Sequence, residues 1–334
     1  MVFVTGSSGL VGSHLLYALS EKGIKIRAMY RERESIKNVE KLFEFYNLQK
    51  KKNLSLDLIE WVQGDILDVN TLDMAMKEVH TVFHCAALVS FLKSDFHKCM
   101  KINRMGTANV VNSCLQNNIK KLCYVSSTAA LGNSNNPITE ETNWQAGAEV
   151  SGYSVSKHSA EKEVFRGIAE GLNASIVNPC LILGPGDWAK SSLTLFRAAK
   201  KGLPFYTTGT NAVVDARDVA DFLLLLADSE ENGEKYLLIG ENISFRNLFS
   251  FIAPRLKARP PKYKLSAFLA KPIAYFLESI LHLFRIKSPF SIESVQSAYK
   301  QLSYDNNKAI RRFDYTFYTM EESVLNAIEG RFYD

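Results

Sequence analysis

Thr5-Gly6-Ser7-Ser8-Gly9-Leu10-Val11-Gly12 is the stretch on which the fold of this chain turns. It follows a short apolar run, Val2–Thr5, and opens a segment in which Leu15, Ala18 and Leu19 recur at helical spacing up to Gly23. A strand, a glycine-rich turn and a helix in that order place backbone N–H groups and the positive end of a helix dipole where a diphosphate can sit. Gly6 allows the tight turn, Gly9 lets the backbone approach a pyrophosphate, and Gly12 permits close packing of helix on strand. Ser8, Leu10 and Val11 complete the loop expected to face a dinucleotide.

A second signature, Tyr153-Ser154-Val155-Ser156-Lys157, begins 147 residues after Gly6. The i, i+4 relation puts Lys157 one helical turn from Tyr153. An ammonium there is expected to favour phenolate and bring the tyrosine into the range of acid–base catalysis. Ser127 lies 26 residues before Tyr153, at the end of an apolar run, where its hydroxyl can polarise a carbonyl. Ser126 competes for that role, and Thr128 does so more weakly. Tyr153, Lys157 and Ser127 are the candidate catalytic residues.

The rest of the chain agrees with a soluble enzyme. Of 334 residues, 46% are hydrophobic and 22% charged, with a net charge of +5, the balance of an ordinary globular protein. The lysines are scattered. The run Lys50-Lys51-Lys52 reads as a solvated helix end, so no nucleic-acid partner is expected. Five cysteines, Cys85, Cys99, Cys114, Cys123 and Cys180, show no CxxC spacing, so neither a metal site nor a disulfide framework is expected. The chain enters a strand at once, without room for a signal peptide, and has no uninterrupted apolar stretch of about 18 residues. A cytoplasmic location follows.

Candidate strands at Val2–Thr5, Lys25–Tyr30, Ile59–Gln63, Thr81–Ala86, Lys121–Ser126 and Ala174–Asn178 alternate with helical patterns. That alternation predicts an α/β Rossmann fold, a doubly wound parallel sheet with a smaller, mostly helical C-terminal substrate domain. Residues 1–180 and about 212–240 are assigned to the dinucleotide domain, and 181–211 and 241–334 to the substrate domain. Segment 265–286, with Phe268, Leu269, Phe276, Leu277, Leu281 and Phe284, has three readings: a helix packed on its own domain, a greasy substrate entrance, or a peripheral membrane contact.

The Gly-x-x-Gly-x-x-Gly spacing together with Tyr-x-x-x-Lys resembles the extended short-chain dehydrogenase/reductase superfamily. The resemblance continues through Gly64-Asp65, His84-Cys85-Ala86-Ala87, Asn103, the stretch from Tyr153 to Glu161, Val214-Asp215-Ala216-Arg217-Asp218-Val219-Ala220 and Tyr304-Asp305-Asn306-Asn307-Lys308-Ala309. It implies that Asp65 bonds the adenine amino group, that Ile66 flanks the ring, and that Cys85, Ala86 and Ala87 line the cofactor. Asn103, Pro179 and Leu181 join the cofactor site on the same ground, and Ser127 falls on the family's catalytic position. Pairing of the helices after Asn103 and around Lys157 into a homodimer is implied in the same way.

In NAD-using relatives a carboxylate stands 18 residues after the third glycine; here that position is Tyr30, followed by Arg31. A guanidinium suits a ribose 2′-phosphate, so NADP(H) is expected over NAD(H), with Arg33 assisting. Asn178-Pro179-Cys180-Leu181-Ile182-Leu183-Gly184-Pro185 is similar to dihydroflavonol-4-reductases and cinnamoyl-CoA reductases. Thr128-Ala129-Ala130 lacks the acid that dehydratases use. The expectation is an oxidoreductase acting on the carbonyl of a hydrophobic small molecule. A nucleotide-sugar epimerase with tightly held NAD and a non-catalytic dinucleotide sensor are the alternatives.

Overall fold

The computed structural model describes residues 1–134, 137–145, 147, 150–270, 272 and 292–332. Its centre is a seven-stranded sheet, all parallel, built from β1 (Val2–Thr5), β2 (Ile26–Tyr30), β3 (Ile59–Gln63), β4 (Thr81–His84), β5 (Lys121–Val125), β6 (Ala174–Pro179) and, last in sequence among these, Lys235–Leu238. The spatial order is Lys235–Leu238, β6, β5, β4, β1, β2, β3. Strands buried on both faces carry continuous apolar runs: every residue of β1, β4, β5 and β6 is buried. One face packs against helices α1 (Leu10–Glu21) and α2 (Ile36–Lys50) and against Ala216–Ala227, with Leu15, Leu19, Leu42, Phe222 and Leu226 at its centre. The opposite face meets α3 (Val69–Ala75), Gly106–Gln116 and Gly152–Ala169 through Leu72, Val110, Ala160 and Val164.

Helix α1 stops where the sequence says it must. Lys22 caps it and Gly23 follows at φ 68°, a left-handed position that glycine takes without strain. Helix α2 ends at Lys50, and Lys51 takes the left-handed conformation, while Lys50 and Lys52 both pair with Glu21 at 3.0 and 2.7 Å. That triple-lysine run is therefore a helix end tied to its neighbour.

The second unit has a sheet of its own, which the helical expectation for this region lacked. Leu181–Leu183 pairs parallel with Thr210–Asp215, and Glu241–Ser244 pairs antiparallel with the same strand. Thr210–Asp215 thus belongs to the small sheet, while Ala216–Ala227 and Lys235–Leu238 return to the large one. A separate core of Leu183, Trp188, Phe196, Val213, Leu248, Ile252 and Val324 holds the unit together. Most of the 265–286 expectation, residues 271 and 273–286, lies outside the described residues.

Candidate active site

The strand order reverses direction between β1 and β4, the topological switch point at which parallel α/β sheets bind ligands. The glycine loop leaves β1 there. Gly6 sits at φ 65°, and a Cβ on it would lie 2.5 Å from the Ala86 amide nitrogen. A Cβ on Gly12 would fall inside contact of the Gly6 carbonyl oxygen and lie 2.8 Å from Ser7 Cα. Only bare backbone fits at either position. Gly9 starts α1 without a side-chain cap, and the first turn holds no acidic residue. Its N–H groups and the dipole end therefore stay open to an anion. These features fit a dinucleotide diphosphate.

Behind the loop, His84 clamps three elements together. Its Nδ1 is 2.7 Å from Thr5 Oγ1 and its Nε2 3.0 Å from Thr107 Oγ1. Burial holds its pKa down to about 3, so the ring is neutral and serves as a hydrogen-bonding spacer. Cys85 and Ala86 are half-buried and Ala87 is exposed, so this backbone edge borders the loop. At the far end, Asp65 accepts from the Leu67 amide at 2.9 Å. Ile66 is buried, and its tip would meet a Cβ on Gly106. Tyr30 closes β2 edge-on to Trp61, and Arg31 stands 66% exposed with only a 3.9 Å contact to Glu32.

The catalytic candidates converge across β5 and the helix Gly152–Ala169. Ser151 caps that helix by accepting from the Ser154 amide at 3.1 Å, which fixes Tyr153 in its first turn. Ser127 follows β5 in extended conformation and accepts from the Ala129 amide at 3.1 Å. Its side chain lies near the Tyr153 phenol and lowers the phenol's pKa. Ser126, the competitor, is committed elsewhere: it donates to Glu161 Oε1 at 2.5 Å. Asn178 donates to the same carboxylate oxygen at 2.6 Å and to Ser127 O at 2.9 Å. Glu161 thus fixes the end of β5 and leaves Ser127 as the hydroxyl facing the phenol. Burial raises the Glu161 pKa, while the Ser126 and Asn178 bonds lower it.

Lys157 is 1% exposed, but its amine does not lie against Tyr153. It donates to Tyr124 Oη at 2.6 Å and to Val125 O at 2.9 Å. The expectation that an ammonium lowers the tyrosine pKa is corrected accordingly. Burial, against the Phe91 ring 5.6 Å away, pushes the Tyr153 phenol up to about 12, and the nearby Ser127 side chain only partly offsets it. Burial likewise brings Lys157 down to about 7, opposed by the Glu161 charge.

Asn103 lies in a turn of π-helix, Met100–Met105, and is fully engaged. Its Oδ1 accepts from the Leu88 amide, and its Nδ2 donates to Leu88 O and, at 2.8 Å, to Ser156 Oγ. It braces the loop after β4 against the helix Gly152–Ala169. Pro179 ends β6 buried, and Leu181 is half-buried at the start of the small sheet. Tyr124 and Glu161 were not singled out by sequence as site residues. Glu161 carried a usable signal, since it lies one turn beyond Lys157 on the same helix face.

Several known proteins are similar to this chain in sequence or structure. It is 27% identical to a putative dihydroflavonol 4-reductase of Synechocystis sp., an alignment covering 98% of this chain and 93% of the relative. It is 26% identical to sterol demethylase protein B of Methylococcus capsulatus over 81% of each chain. The crystal structure of gox2253 superposes with a TM-score of 0.80 at 30% identity, covering 99% of this chain and 97% of that one. MoeE5 in complex with UDP-glucose and NAD superposes at 0.75 with 21% identity, covering 98% and 97%, a likeness of fold. Among the described residues, no helix is long and apolar enough to cross a membrane. With residues 2–240 matching its pattern, the chain belongs to the NAD dependent epimerase/dehydratase family and has the extended short-chain dehydrogenase/reductase fold.

Proposed function

We propose that the protein is an NADP(H)-dependent oxidoreductase that interconverts a carbonyl and an alcohol on a hydrophobic small molecule. The observation that carries this reading is the placement of Ser127, at the end of β5, near the buried Tyr153 phenol, with Lys157 buried one turn further along the same helix. A bound nicotinamide dinucleotide would supply or accept the hydride. The chain does the rest. Ser127 donates a hydrogen bond to the carbonyl oxygen, and Tyr153, protonated at neutral pH, gives that oxygen its proton. Lys157, held by Tyr124 and Val125, is a buried amine one turn from Tyr153 that a bound nicotinamide ribose could meet. The buried wall around Phe91 excludes water.

The substrate class follows from what lines the junction of the two units. Cys180 and Leu181, half-buried at the entry to the small sheet, offer no cation to a sugar diphosphate, and Leu183 is closed inside the second core. The Synechocystis relative is named for dihydroflavonol reduction. A Stigmatella aurantiaca relative, 24% identical over 98% of this chain, is named a ketoreductase of a farnesylated quinoline oxide. For the cofactor, Tyr30 replaces a carboxylate, and the Arg31 guanidinium is free enough to meet a 2′-phosphate. Five cysteines without a disulfide fit a reducing, cytoplasmic setting.

The test follows NADPH absorbance against aromatic and prenylated ketones. Arg31→Ala should weaken NADPH binding about tenfold, the worth of one charge-assisted hydrogen bond, with NADH unaffected. Tyr153→Phe should abolish turnover while dinucleotide binding survives. Equal affinity of the parent protein for NADPH and NADH would sink the cofactor assignment. A stoichiometric, non-exchanging NAD in the purified protein, with no ketone reduced, would favour a nucleotide-sugar epimerase instead.

A further inference from the structure

Two stretches of this chain, residues 188–214 and 242–277, contain no aspartate or glutamate and together hold eleven lysines and arginines. At the chain's average frequency roughly six acids would fall there. The structure brings these distant stretches into one face. Helix Thr194–Lys201 packs on Phe245–Arg255, and strand Phe205–Tyr206 pairs with Tyr263–Lys264 so that Tyr263 lies opposite Phe205. The amides of Lys262 and Tyr263 both donate to Pro204 O at 3.0 Å.

Apolar side chains stand out from this face. Phe205 is 51% exposed, Tyr263 57%, Phe268 84% and Leu269 55%. Lys200, Lys201, Arg246, Lys257, Arg259, Lys262 and Lys264 surround them and are themselves exposed. Among the described residues of these stretches, only Lys190 and Arg255 pair with acids, Asp187 and Glu321. Arg246 lies over the Tyr206 ring at 4.7 Å and Lys262 over the Tyr263 ring at 5.8 Å, so aromatic and cationic groups are interleaved.

We propose that this face, with Phe205, Tyr263, Phe268 and Leu269 ringed by unpaired cations, docks on an anionic phospholipid bilayer as a peripheral contact. Apolar tips of this size enter the boundary between headgroups and acyl chains, and the surrounding lysines and arginines meet the negative surface. A second copy of the chain is disfavoured as the occupant. A two-fold interface would set this cationic ring against itself. Nucleic acid would match the charge but would leave Phe268 and Leu269 without an apolar partner. The proposal uses described residues only and stands independently of the reaction assigned above.

The test is co-sedimentation of the full chain with vesicles of phosphatidylcholine alone or of equal parts phosphatidylcholine and phosphatidylglycerol. Binding to the mixed vesicles, weak or absent on the neutral ones and weakening with salt, is expected. Lys262→Ala with Lys264→Ala should lower the partition coefficient about 25-fold, at about fivefold per cation near such a surface. Phe268→Ala with Leu269→Ala should lower it tenfold or more, through lost apolar burial. Both pairs are exposed, so the variants keep the parent's melting temperature, which is measured alongside. Absence of binding to the anionic vesicles, equal binding to both kinds, or variants that sediment like the parent would overturn the proposal. So would a dimer, or a complex with duplex DNA, that forms in place of vesicle binding and is lost in the same variants.

Discussion

Replacing Lys157 with methionine in the cofactor-free protein should flatten the dependence of stability on pH just above neutrality. Burial holds the Lys157 amine down to about 7, against 10.5 in an unfolded chain. Between those values the unfolded state keeps a proton that the folded state has released. Stability therefore rises with pH across the window, by at most about 1.36 kcal/mol per unit. From about pH 7.5 to about pH 8.5 the folded amine is mostly neutral, so its share of the rise is about 1.2 kcal/mol. Methionine has a similar length and no proton to lose. The buried thiols of Cys85 and Cys123, raised by burial to about 12, pull the other way near the upper pH, but they do so in both proteins and cancel in the comparison. Urea titrations of parent and variant at the two pH values measure the double difference directly. A parent that gains about 1.2 kcal/mol more than the variant supports the reasoning. A difference below about 0.3 kcal/mol, the ordinary limit of additivity, would mean that Lys157 stays charged in its pocket.

Three further outcomes follow. Gly12→Ala should abolish dinucleotide binding and cost about 1–3 kcal/mol of stability, because its Cβ must displace the Gly6 carbonyl; calorimetric titration and a urea melt check this. Glu161→Ala should cost about 2 kcal/mol by leaving the buried Ser126 hydroxyl and part of the Asn178 amide unpaired, and Glu161→Gln should recover part of it, both read in denaturant melts. Carbonyl reduction should stay level in kcat/KM from about pH 6 to about pH 8 while alcohol oxidation rises over the same range, since the Tyr153 phenol keeps its proton throughout.

The large sheet was readable because most of its strands, β1, β4, β5 and β6, are buried on both faces and so appear as apolar runs. Val2–Thr5 and Ile59–Gln63 match the observed strands at both ends, and the others differ by one or two residues. The small sheet was hidden for the opposite reason. Its strand Leu181–Leu183 spans three residues, and the separate pair Phe205–Tyr206 and Tyr263–Lys264 two each, so none of these is long enough to show a period of two. At the site, the serine, tyrosine and lysine carry chemistry in their own side chains and could be named. Tyr124 could not: within Lys121–Val125 it reads as one more core aromatic, and only the packing of the next helix shows that its hydroxyl accepts the Lys157 amine. The partners of Asn103 were hidden for a related reason. A polar side chain after β4 suits a cofactor, but the π-turn rotates it onto Ser156 and Leu88.

The order of proton affinities in the pocket argues for a direction of reaction. An ammonium beside a phenolate would require Lys157 to hold its proton more tightly than Tyr153. Burial reverses that order, with the phenol near 12 and the amine near 7. Neutral forms of both groups are the ones a water-poor pocket tolerates, since each charge would have to be desolvated without a counter-charge in contact. At neutral pH the chain therefore stores its proton on the phenol, next to Ser127, where a carbonyl oxygen would need it. Reduction starts from that state without any prior ionisation. Oxidation has first to remove the same proton from a phenol raised from 10 to about 12, which adds about 2.7 kcal/mol to what ionising a free tyrosine already costs.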